Sequence, residues 1–98
     1  MPDRETSKEI IFAEELKHLI ADKPRIYKMT KEGEDDFYFD NTDLLNHKDN
    51  FFDMRSGGWE VSKDVFEELP NYLPARRQSI ADAGFDSFDW GYKKAENP

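Results

Sequence analysis

The 98 residues predict an α+β fold: a three- to four-stranded antiparallel sheet packed against an N-terminal helix and two short C-terminal helices. Three observations carry this. Phe12, Leu16, Leu19 and Ile20 repeat at helical spacing near the N-terminus. Strand-forming runs in the middle of the chain are separated by short polar, glycine-containing connections. Those connections are too short for the crossover that parallel strands need, so neighbouring strands must run antiparallel. Length and fourteen aromatic residues indicate one domain over residues 1–98, with residues 1–5 and 93–98 expected to fray.

The first helix is expected over Ser7–Asp22. Thr6 and Glu9 have the spacing of a capping box, and Pro24 ends the pattern. Ile10 and Ile11 fall beside the main stripe, where they either widen the buried face or form a second contact such as a dimer seam. Arg25–Thr30 and Phe37–Asp40 read as two strands of a hairpin around Lys31–Asp36, with Gly33 supplying a positive φ. A helical turn is expected near Thr42–Asn46, capped by Asn41 or Thr42. Phe51–Arg55 and Trp59–Val61, joined by Ser56-Gly57-Gly58, read as a second hairpin. Ser62 suits the N-cap of a short helix Lys63–Leu69 that turns Val65, Phe66 and Leu69 inward. Pro74–Ala83 reads as the last helix, with Gly84 in position to end it. Phe88, Trp90 and Tyr92 alternate with Asp89 and Gly91, as in an edge strand or an extended arm.

Charge is the strongest functional signal. Twelve of the 22 acidic residues lie between Glu32 and Glu68, with only Lys48, Arg55 and Lys63 against them. That segment holds nine net negative charges, and the remainder of the chain is near neutral. A concentration of one sign selects partners of the other. The strand assignments divide the acid among a hairpin loop, a turn-rich connector and one face of a short helix, threaded by aromatics.

Several function classes find no support. Cysteine is absent, which removes disulfides, thiolate catalysis and Cys-based zinc sites. A calcium EF-hand loop begun at Asp40 would place Thr42 third, Leu45 sixth and Phe51 twelfth, where calcium ligation needs Asp or Asn, Gly and Glu. His18 and His47 are the only imidazoles, so no transition-metal set is expected. No nucleophile elbow, dinucleotide fingerprint or phosphate loop is present, which points to a protein without a cofactor and without catalytic machinery. Arg76 and Arg77, with Lys93 and Lys94, are the candidates for a basic face; the net charge of −8 opposes nucleic acid, and the simpler expectation is that the two arginines pair with nearby carboxylates or stay in solvent. No run is long and apolar enough for a bilayer, and no signal-peptide pattern precedes the first helix, so no membrane association is expected and a cytoplasmic location is.

A non-enzymatic acidic protein that docks on the basic surface of a protein partner is therefore the leading expectation, in the manner of an inhibitor, an immunity protein or a nucleic-acid mimic. The contact residues expected are Glu32, Glu34, Asp35, Asp36, Asp40, Asp43, Asp49, Trp59, Phe88 and Trp90, with Tyr38, Phe51 and Phe52 as nearby aromatic anchors. A homodimer built on Ile10, Ile11 and the tail aromatics is the alternative, with the acid serving solubility. A small nucleic-acid module is a third.

Overall fold

A computed structural model describes the backbone of residues 4–21, 24–63 and 69–95, and the side chains of 10–21, 24–62 and 69–95. The elements run α1 (Arg4–Ala21), β1 (Ile26–Thr30), β2 (Phe37–Asp40), α2 (Asn41–Asn46), α3 (Lys48–Ser56), β3 (Glu60–Lys63), α4 (Leu73–Asp82), β4 (Phe85–Phe88) and β5 (Gly91–Lys94). The α+β class and the antiparallel sheet are as expected. The sheet has five strands in the order β3-β1-β2-β5-β4, and every neighbouring pair is antiparallel.

The central strands are covered on both faces, and the pleat assigns the residues. Tyr27, Met29, Phe37 and Phe39 pack with Phe12 and Leu16 of α1, Leu44 of α2, Phe51 of α3 and Trp90. Ile26, Tyr38 and Tyr92 project the other way, onto Leu69, Ile80 of α4 and Phe85. All four residues of β2 are consequently buried, although Phe37-Tyr38-Phe39-Asp40 shows no alternation of apolar and polar types. Asn41 ties the layers together: its amide donates to the Leu19 carbonyl in the last turn of α1, and its Oδ1 accepts from the Arg25 N–H at 3.0 Å.

Several sequence expectations need correction. Helix α1 begins at Arg4, so Thr6 lies inside the helix and is not its cap. Ile10 and Ile11 are about three-fifths exposed and do not widen the buried face. The cap of α2 is Asp40, whose Oδ1 accepts from the Asp43 N–H at 2.8 Å while the Asp43 carboxylate accepts from the Asp40 N–H at 3.2 Å.

The largest correction concerns the second hairpin, because Phe51–Arg55 is helical. Phe51 and Met54, three apart, share the side that meets the core, and Arg55 one residue on reaches Glu15 of α1 at 2.8 Å. The strand after the Gly57-Gly58 turn then pairs with β1 and not with its own neighbour in sequence. Ser62 sits opposite Lys28 in that pairing, so it does not cap a helix at Lys63; Val65 and Phe66, expected to face inward, lie outside the described residues.

The tail is not an arm. β4 forms one edge of the sheet, and β5 inserts between β4 and β2, with Tyr92 opposite Tyr38. Lys93 and Lys94 complete β5, and Arg4 and Glu5 belong to α1, so neither belongs to a frayed end. Gly91 is the residue that permits the insertion. A Cβ there would lie 2.3 Å from the Tyr38 carbonyl oxygen and 2.7 Å from the Phe37 ring. The final helix matches its expected limits to within a residue, and Gly84 takes the positive φ expected of it.

Candidate functional site: an acid-rimmed aromatic groove

The acidic segment separates into an interior part and a surface part. Asp40 and Asp43 are both almost fully buried at the end of β2, so these two expected contact residues are structural. Arg77 of α4 reaches Asp43 Oδ1 at 2.9 Å and also donates to the Tyr92 hydroxyl. Burial first, and then the Asp40 carboxylate, raise the Asp43 pKa to about 6; the Asp40 N–H and Arg77 oppose the rise without cancelling it. The Tyr92 hydroxyl is likewise pushed up by burial and by the two carboxylates. Burial works against the charge on Arg77, but the adjacent Asp43 carboxylate, Tyr92 and Asp40 together hold its pKa above the ordinary value. Arg76 is buried and donates to the carbonyls of Pro70 and Asn71 and to the Thr42 hydroxyl. Arg77 therefore pairs with a carboxylate as expected, whereas Arg76 is buried against carbonyls and a hydroxyl and not against an acid.

Trp90 is also interior. Its ring centre lies 4.8 Å from that of Phe37 and 5.3 Å from that of Phe39, and His47 stacks over it at 5.8 Å. Tyr38 and Phe51 are buried as well, which removes them as anchors, while Phe52 is half-buried. Asp49 is exposed in the first turn of α3 and lines a separate shallow depression with His47 and Lys48. Glu32 is exposed in the β1–β2 loop.

The other five expected residues come together. Glu34, Asp35, Asp36, Trp59 and Phe88 line one groove of about 260 Å³ on the side of the sheet that carries α1, α2 and α3. Phe37 also lines it, and Met54 and Asp89 complete its walls. Each part has a positional cause. The acidic loop turns through a Glu34 N–H to Lys31 carbonyl bond of 3.0 Å, which brings three consecutive carboxylates to the groove. Trp59 is pinned to the end of α3, because its N–H donates to the Met54 carbonyl at 3.0 Å and its own carbonyl accepts from Arg55. Phe88, nearly half exposed, ends edge strand β4 with its ring 6.2 Å from that of Phe37. Asp89 occupies the two-residue turn between β4 and β5 at φ 53°, a left-handed conformation that Asp tolerates better than most residues.

One cation sits among these carboxylates. Lys93 Nζ lies 2.8 Å from Asp35 Oδ2 and 4.8 Å from the centre of the Phe88 ring. The hydrogen bond and charge of Lys93 hold the Asp35 carboxyl below its usual pKa. A second depression of about 250 Å³ shares Asp35, Asp36 and Lys93 and extends to Tyr38 and Lys94.

Sequence reasoning misses Phe37, Met54, Asp89 and Lys93 as groove residues. Asp89 has a visible signal, lying between two aromatics in the alternating tail; Lys93 falls in the end expected to fray and among the candidates for a basic face. Among the described residues no group of three or more His, Cys, Asp or Glu is arranged to hold a metal ion, and no helix is long and apolar enough to cross a membrane. Comparison with protein-family models, with curated protein sequences and with solved structures finds no match to this chain.

Proposed function

We propose that this chain is a non-enzymatic acidic binding protein that docks through the groove on the basic surface of a protein partner, as an inhibitor, an immunity-like protein or a nucleic-acid mimic does. One observation carries the reading: four carboxylates, Glu34, Asp35, Asp36 and Asp89, border a depression that also contains the exposed Phe88 and the half-buried Trp59. Aromatic anchors inside a charged rim are the usual anatomy of a protein contact. The carboxylates steer a cationic partner and speed its encounter, and the aromatics supply apolar area once it arrives. The experiment is stopped-flow association with a panel of basic nucleases and nucleic-acid-binding proteins across ionic strength. A complex whose association rate falls at least about tenfold from low to high salt is expected. No complex with any member, or rates indifferent to salt, would reject the reading.

Self-association is a second reading, favoured by the exposed Ile10 and Ile11 beside an apolar depression that includes Phe12, Ala13 and Phe52. Sedimentation at micromolar concentration tests it: a dimer dissolved by Ile11→Glu supports this surface, and a monomer rejects it.

A further inference from the structure

We infer that Lys93 occupies, from within the chain, the seat that an arginine of the partner takes in the complex. This rests on the groove being a docking site for a basic segment, and it specifies which side chain enters and what it displaces.

Lys93 marks a position where a cation meets a carboxylate and an aromatic face at once, 2.8 Å from Asp35 and 4.8 Å from the Phe88 ring centre. Among the described residues that line the groove, Lys93 is the one cation beside four carboxylates, an excess of negative charge that favours a further or stronger cation. Arginine suits the place better than lysine. A guanidinium is planar and weakly hydrated, stacks on aromatic rings and bridges two carboxylates with its fork of donors, whereas an ammonium is a compact, strongly hydrated point charge. Asp35 and Asp36 both line the groove and can offer carboxylates to such a fork, and Trp59 and Phe88 are the rings there for stacking. Lys93 is half-buried with its side chain partly in solvent, so it moves aside more readily than the buried Tyr92 one residue earlier.

Lys94 is a built-in control. It follows Lys93 in β5 and carries the same charge, but it alternates away from the groove and lines only the neighbouring depression, 5.4 Å from the Tyr38 ring centre. A general electrostatic effect treats the two lysines alike; a specific seat does not.

The test is an NMR titration of the full chain with the peptide acetyl-Gly-Arg-Arg-Gly-amide, read at the Trp59 indole N–H, with the Lys-Lys peptide alongside. Lys93→Ala is expected to tighten arginine-peptide binding about fivefold and Lys94→Ala by less than about twofold, with the lysine peptide weaker than the arginine peptide by about threefold. Lys93→Gln, which keeps the stem in the sheet, serves if the alanine variant loosens the fold. Equal tightening by both lysine variants, loss of binding in the Lys93 variants, or equal affinity for the two peptides overturns the inference while leaving the groove a docking site. Absence of any shift at Trp59 with the wild-type chain overturns the docking reading itself.

Discussion

Asp40 and Asp43 lie inside the protein, and Glu34, Asp35 and Asp36 lie in water, although all five belong to one acidic segment of the sequence. The interior pair is engaged by groups of the fold, a reciprocal cap at the start of α2 with Arg77 reaching Asp43, although Asp40 Oδ2 accepts no hydrogen bond from the described residues. Among the described residues lining the groove, Lys93 is the one cation beside that surface set and Asp89. Charge density along the chain therefore says little about the role of an individual acid. What separates the two groups is whether the surrounding residues exclude water, because a desolvated carboxylate needs partners and a solvated one does not.

The largest expected effect falls on the strand that connects both regions. Gly91→Ala forces a Cβ into the Tyr38 carbonyl and the Phe37 ring, which separates β5 from β2 and disturbs both the floor of the groove and the seat of Tyr92 beside Arg77. A loss of about 3 kcal/mol or more in urea unfolding is expected. A loss under about 1 kcal/mol would mean that β2 and β5 do not approach this closely.

The second test concerns the interior alone. Because the folded-state pKa of Asp43 is raised to about 6 from 3.8, the folded protein holds that proton more tightly than the unfolded chain does. The contribution of Asp43 to stability is thus fully present below about pH 4 and is lost as pH rises through about 6. Wild type is expected to lose about 1–3 kcal/mol relative to Asp43→Asn over that window, as followed by unfolding midpoints. Parallel pH profiles for the two proteins would place Asp43 in an ordinary, solvated environment.

The smallest effect on stability belongs to the surface. Glu34→Gln, Asp36→Asn and Asp89→Asn together are expected to shift Tm by less than about 3 °C, since exposed charges contribute little to folding. The same triple variant should associate with a basic partner several times more slowly. A large fall in Tm would show that these side chains hold the loop and not a ligand.

Local signals in the sequence were dependable where the deciding contacts are local. The β1–β2 hairpin, the limits of α4 and the buried Phe12 and Leu16 follow from turn residues and spacing within a few positions. Phe51–Arg55 is misread as a strand because a short apolar run satisfies either period, and the contacts its helix makes, Phe51 in the core and Arg55 with Glu15 40 residues away, are long-range. The groove was half legible. Five of its residues stood out by charge or aromatic type, but Asp40, Asp43 and Trp90 stood out equally and are buried.

The fold class, the helical stripe of α1, the first hairpin and the confinement of negative charge to one segment follow from composition and near-neighbour periodicity, which are properties of the chain. Which acids face water is settled by folding alone. That depends on the insertion of β5 between β2 and β4, on Arg77 meeting Asp43 across 34 residues, and on the approach of Gly91 to Tyr38. These are long-range contacts, and the desolvation that distinguishes a structural carboxylate from a binding one exists only once they have formed.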